Sequence, residues 1–208
     1  MDSDWRFFKG DLEPSNEVAG WGGAKTKAFS FGASAANFDD TGWRTVNIPH
    51  DFVVEGEYVK KQENFSGYGN IPAMETIDNR HVSGGSLEGG IGWYRKKFDV
   101  PKEYEGNRVY LYFEGIFRDS LVFLNHYDVG RHASGYTSFY YDITEFLNYG
   151  GTNLLAVRVD ATGREGWWYE GGGIYRHVSL FTIQPVHIKP WGVFVTAKPV
   201  EEKGEYEK

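Results

Sequence analysis

Residues 153–161 read NLLAVRVDA, and their alternation places Leu155, Val157 and Val159 on one face. A period of two over this length is the pattern of a half-buried β-strand, because successive side chains of an extended chain point to opposite faces. The same period recurs outward in both directions, in VYLYFEG (109–115), SLVFLNHYDVG (120–130), HVSLFTIQP (177–185) and GVFVTAKP (192–199). WYRKKFDVP (93–101) reads as a strand closed by Pro101, and WRTVNIPHD (43–51) as one ending at Pro49. Turn chemistry separates most of them, at Glu105-Gly106-Asn107, Asn125-His126 and Gly150-Gly151, since Gly and Asn tolerate the backbone angles that tight turns need. Several strands at this spacing predict an all-β antiparallel sandwich. DITEFL (142–147) reads as one short helical turn capped by Asp142 or Thr144. Residues 56–92 are rich in Gly, Asn and Ser and carry no clear element; a stretch of that kind is usually functional or mobile.

Composition narrows the class. The 208 residues fit one large all-β domain or two small ones. With 22 Lys and Arg against 29 Asp and Glu the net charge is −7, and no basic run is denser than Arg95-Lys96-Lys97. Nucleic acid and anionic membrane surfaces are therefore poor partners. Aromatic residues make up 17% of the chain and glycine contributes 27 residues, which favours aromatic strands joined by tight turns. Without cysteine there is no disulfide framework and no thiolate metal site. No apolar run approaches the roughly 18 residues of a membrane-spanning helix. The start, MDSDWRFFKGD, carries no export signal, and the polar end EEKGEYEK reads as a linker or cut edge. The chain thus reads as a fragment, and its compartment, periplasmic or secreted after signal removal or otherwise, stays open.

GWWYEGGGIYR (166–176) sets two tryptophans, a tyrosine and a carboxylate against three glycines. From the residues alone it is a shaped loop. Gly171 to Gly173 supply positive φ or close backbone approach, while Trp168, Ile174 and Tyr175 pack the sandwich edge.

Taken in order, WRFFKGD, IPHDFVVEGEY, GGIGWYRKKFDVP, VYLYFEGIFRDSLVFLN, VGRHASGYTSFYYDITEFL, NLLAVRVDA and GWWYEGGGIYRHVSL resemble the N-terminal sugar-binding domain of glycoside hydrolase family 2 across residues 5–185. That family includes β-galactosidases, β-glucuronidases and β-mannosidases. The resemblance implies a jelly-roll β-sandwich, similar to galactose-binding domains, over residues 1–185. Residues 186–208 would then be an edge strand or linker toward an immunoglobulin-like domain and a catalytic (β/α)8 barrel. It implies a β-galactosidase-like parent, a carbohydrate ligand, the chain's own downstream domains as partners, and homo-oligomers of the full enzyme. It implies no cofactor.

The resemblance also assigns site residues. The 166–176 loop would reach toward the barrel's active-site mouth. The position of Trp167, often acidic or arginine in the family, here carries a ring that can stack on a pyranose face, with Trp168 and Glu170 beside it. Glu88 and Gly89, in GGSLEGG (84–90), would line the same mouth; the alternative is a flexible turn feeding a strand. Asp51 lies at the end of a strand facing that side, and from its own chemistry it orders the loop by accepting backbone hydrogen bonds. For the 166–176 loop, mouth contribution, scaffold and an independent lectin site all stay open.

Catalytic residues are expected to lie elsewhere. Retaining hydrolysis needs two carboxyl groups about 5–5.5 Å apart, and Glu165 and Glu170 are near in sequence, yet the resemblance puts the catalytic pair on the barrel. His132 and His177 read as structural histidines, and no His-x-His or His-x-x-x-His spacing points to a metal site. Arg118-Asp119 and Arg176 read as a structural charge system. Strand alternation puts Trp93 and Arg95 on one face and Tyr94 on the other.

Overall fold

The computed structural model describes residues 1–12, 32–58, 82–83, 87–163 and 169–198. Its strands are β1 (Trp5–Lys9), β2 (Arg44–Val46), β3 (Val82–Ser83), β4 (Leu87–Glu88), β5 (Gly90–Val100), β6 (Arg108–Phe113), β7 (Ser120–Leu124), β8 (Tyr127–His132), β9 (Phe139–Asp142), β10 (Gly151–Ala161) and β11 (Val178–Ile183). They assemble into a six-stranded sheet ordered β2-β1-β5-β10-β7-β8 and a three-stranded sheet ordered β11-β6-β9, with β3 and β4 forming a separate pair. Every pairing is antiparallel. The result is an all-β jelly-roll sandwich.

The core forms where the inward faces of the two sheets meet. Leu155, Val157 and Val159 of β10 pack there with Tyr94, Val122, Leu124, Leu111, Phe113 and Val178. Burying apolar area at about 25 cal/mol per Å² is the main drive for this closure. The other face of the large sheet holds a smaller cluster of Ala33, Trp93, Phe123 and Ala156. Trp93 and Phe123 stack at 6.1 Å there, and small Ala156 makes room for them. Arg95 shares that face: its Nε donates to the Ala33 carbonyl at 2.8 Å, and its guanidinium donates to the Ala35 carbonyl at 2.6 Å and pairs with Asp40. The expected division of Trp93 and Arg95 from Tyr94 thus holds.

The run 120–130 divides into two strands at the expected Asn125-His126 turn. Asn125 and His126 both have positive φ, 50° and 75°, as a two-residue hairpin connection of type I′ requires. The turn at 142–147 is a 3-10 turn at Thr144–Phe146, with Ile143 in the capping position. Asp142 serves it indirectly, accepting the Thr144 amide at 3.2 Å. Periodicity did not single out β1 or the four-residue β9. In contrast, residues 192–198 form no strand: Val193, Phe194 and Val195 are 63%, 90% and 83% exposed. Alternation registers only strand propensity, and a ladder also needs a neighbour to hydrogen-bond. Ahead of them, residues 187–191 fold onto the outer face of the small sheet, where Tyr110 Oη meets His187 Nε2 at 3.1 Å and Trp191 packs on Tyr140 at 4.9 Å.

Candidate functional site

At one rim of the sandwich three distant segments pair through their backbones. The His50 amide donates to the Ile174 carbonyl at 2.8 Å and the Phe52 amide to the Gly172 carbonyl at 2.9 Å. Phe117 and Gly173 exchange both amide–carbonyl bonds, at 2.9 and 2.6 Å. The bonds Ile48–Pro49 and Phe117–Arg118, which adjoin these segments, are cis.

Glycine is required at this junction. Gly171 has φ +83° and Gly173 φ +129°, both outside the comfortable range of other residues. A Cβ on Gly171 would stand 2.5 Å from Asp51 Oδ2, and one on Gly173 would stand 2.5 Å from the Tyr94 oxygen. The triple glycine therefore serves close approach as well as turning.

Asp51 locks the rim. Its Oδ1 accepts the amides of Val53 at 2.9 Å and Gly172 at 3.0 Å, and its Oδ2 accepts the Tyr169 hydroxyl at 2.6 Å. This is the backbone-ordering role expected of it, extended to a loop 121 residues away. Glu170 lies next along, and the Tyr136 hydroxyl donates to its Oε1 at 3.4 Å. Tyr136, 64% exposed, packs edge-on against Phe117, while Tyr169 is 41% exposed. Two exposed phenols and two carboxylates thus share one edge, a mix able to exchange hydrogen bonds with hydroxyl groups and to cover apolar ring faces.

Behind the edge lies a buried polar support. His50 Nδ1 is 2.7 Å from the Tyr94 oxygen and Nε2 is 3.0 Å from Arg44, whose guanidinium also pairs with Glu55. A neutral imidazole satisfies both contacts by accepting from Arg44 and donating to Tyr94. Burial holds the His50 pKa below its ordinary value, against the pull of Glu55. Burial also raises the Tyr94 phenol well above its usual range. Glu55, despite burial working the other way, is held below the usual carboxylate range by Arg44 and His50.

The structure brings Asp51 to the 169–176 loop and places Glu170 beside it. Glu88 lies half-buried at the end of β4 with Gly89 buried next to it, and Leu87 bridges Tyr58. Trp167 and Trp168, with Glu165, lie outside the described residues. Ile174 is buried in the core and Tyr175 is half-buried, its hydroxyl donating to the Gly135 carbonyl at 2.7 Å. His132 stacks on Phe139 at 4.0 Å and His177 meets Asp2 at 2.6 Å, so both have structural partners. The charge system at Asp119 extends beyond Arg118: Asp119 also takes Arg131 through a two-pronged pair at 2.5 and 2.7 Å, because the β7–β8 hairpin brings Arg131 across from it, and Arg131 and Arg118 both hold its carboxyl below the usual range, against burial. Arg118 and Arg176 also lie over the rings of Phe117 and Tyr175. Tyr136 and the His50–Tyr94 contact carry no local sequence signal, since each joins residues far apart in the chain. Among the described residues, no three His, Cys, Asp or Glu side chains gather as a metal site would need.

Residues 25–184 match the family model described as the glycosyl hydrolases family 2 sugar binding domain. The chain belongs to glycosyl hydrolase family 2. Its sugar-binding domain is similar to β-galactosidase BoGH2A of Bacteroides ovatus, 38% identical over 98% of this chain and 20% of that protein. It is also similar to a β-glucuronidase of Formosa agariphila, 25% identical over 96% of this chain and 19% of that protein. Among solved structures, a β-glycosidase from Bacteroides vulgatus superposes with a TM-score of 0.68 at 36% identity, covering 92% of this chain and 20% of that one. The chain therefore spans about a fifth of the length of these relatives. The family 2 sugar-binding domain is here the sandwich itself, and the Asp51 rim is formed by its loops.

Proposed function

We propose that this family 2 sugar-binding domain serves a β-galactosidase-like enzyme as a non-catalytic part, with residues 1–185 as the jelly roll and 186–208 leading to further domains. Its role is to brace a catalytic barrel and to shape the sugar-binding mouth with the rim of Asp51, Tyr169 and Glu170, together with Trp167, Trp168, Glu88 and Gly89. One observation carries this reading: the Asp51 carboxylate fixes the Tyr169–Gly172 loop, so that phenol and carboxylate groups are held in place at one edge. Preorganised polar groups beside aromatic rings suit recognition of sugar hydroxyls and pyranose faces. The relatives named β-galactosidase and β-glucuronidase support the glycoside class and leave the sugar to experiment.

The test compares the 208-residue chain with the protein encoded by the whole gene, using aryl β-galactoside and aryl β-glucuronide substrates. The expected result is no turnover by the chain, and galactoside turnover by the full protein with KM raised in its Asp51→Ala variant. Hydrolysis by the chain alone, or a full protein that cleaves only the glucuronide, overturns the reading. Tight galactose binding by the isolated chain would favour a self-sufficient carbohydrate-binding module instead.

A further inference from the structure

The Asp51 rim is held from behind by one residue, His50, through both its backbone and its ring. Its amide donates to the Ile174 carbonyl, and Asp51, next in sequence, takes the Val53 and Gly172 amides. The imidazole is buried, only 7% of the residue being exposed, and Nδ1 reaches the Tyr94 oxygen at 2.7 Å. That phenol also hydrogen-bonds the Ile174 backbone. His50 therefore fastens the 50–56 loop to residues 172–174 twice. Phe7 packs edge-on against the ring at 4.7 Å, so water does not readily replace a lost partner there.

Nε2 stands between two groups that favour different protonation states. Arg44 Nη2 is 3.0 Å away and Glu55 Oε1 is 3.3 Å away. Arginine can only donate, so the neutral ring accepts from Arg44. A protonated ring carries a hydrogen on Nε2 that opposes Arg44 and suits only Glu55. Arg44 already pairs with the other oxygen of Glu55, so the charged ring competes with a guanidinium for one carboxylate. The other neighbours offer no relief. Tyr94 from β5 and Phe7 from β1 are uncharged, Asp51 is engaged by Val53, Gly172 and Tyr169, and residues 172–174 are only glycine and isoleucine. Burial opposes the charged ring and outweighs the attraction of Glu55 and Asp51.

We propose that His50 is a pH-sensitive latch: the neutral ring keeps the 50–56 loop on residues 172–174, and its protonation parts the two and releases the Asp51 rim. Opening brings the ring to water, where it takes up a proton without facing Arg44, so acid favours the open form by linkage. The latch acts on the order of the rim and stands whether or not the rim meets a sugar.

The test is native-state hydrogen exchange of the 208-residue chain, followed by NMR between about pH 7.5 and about pH 5.5, with rates corrected for the pH dependence of intrinsic exchange. The expected result is that protection of the Phe52 and Gly172 amides falls by up to about tenfold per pH unit below the ordinary histidine value. These openings should be insensitive to low urea, whereas Val157 in β10 should exchange only through urea-sensitive unfolding. His50→Gln, whose amide can accept from Arg44 and donate to Tyr94 at every pH, should keep the rim protected throughout. Glu55→Gln, at a part-exposed site, should move the loss of protection to lower pH, because the charged ring loses its acceptor. Rim protection unchanged by pH, rim amides that open only together with Val157, a folded His50→Gln variant that loses protection as the unaltered chain does, or an onset unmoved by Glu55→Gln overturns the proposal.

Discussion

Asp51 Oδ2 accepts the Tyr169 hydroxyl at 2.6 Å although 118 residues separate them in sequence. The same carboxylate holds the Val53 and Gly172 amides, so one side chain joins two loops. Removing it in Asp51→Ala should cost about 2–3 kcal/mol, because buried amide donors lose a charged acceptor. Tyr169→Phe should cost less than about 1 kcal/mol, since that hydroxyl can turn to water. Urea unfolding measures both, and hydrogen exchange at Val53 and Gly172 should quicken only in the alanine variant.

Gly173 is the least replaceable position of the rim. Its φ of +129° and the 2.5 Å and 2.6 Å approaches that a Cβ would make to the Tyr94 oxygen and the His50 carbonyl leave no room for a side chain. Gly173→Ala should destabilise by about 2–4 kcal/mol. A thermal unfolding midpoint unchanged from that of the unaltered chain would contradict this.

Stability should fall with mild acidification. Burial lowers the pKa of His50 below 6.5 and acts on His132 in the same direction. The unfolded chain therefore takes up protons first as the pH drops below the ordinary histidine value, which favours unfolding until the folded pKa is passed. The lowered pKa values of Asp2, Asp11, Asp119 and Glu55 act further down, because stability present above the ordinary carboxylate range is lost as the pH falls through their folded values. Denaturation midpoints between about pH 7.5 and about pH 5.5 isolate the histidines, and His50→Gln should flatten that slope.

Arg95 fastens the 32–40 segment over Trp93. Its side chain is fully buried and its partner Asp40 nearly so. Arg95→Met should cost about 3–5 kcal/mol by leaving that carboxylate uncompensated. Limited proteolysis between residues 32 and 43 should accelerate in the variant, and unchanged cleavage there would refute the fastening role.

Much of the sandwich was legible in the sequence. The alternation of NLLAVRVDA placed Leu155, Val157 and Val159 in the core, and the pattern of β5 correctly divided Trp93 and Arg95 from Tyr94. It misled where propensity lacked a partner, as at 192–198, and it passed over β9, four residues long. Of the candidate site, Asp51 and the need for glycines at 171–173 could be inferred, because turn chemistry and backbone freedom are local properties. Tyr136 and Arg44 could not, because nothing in their neighbours marks them.

The sequence by itself determined most of the strands, their inward faces and the family, since side-chain alternation and linked motifs are written along the chain. Only the tertiary structure decided which loops meet. Asp51 reaches Tyr169 and Tyr136 reaches Glu170 because antiparallel pairing carries distant segments to a common rim. Loops lack a period, and their contacts are set by the sheets that carry them rather than by their own residues.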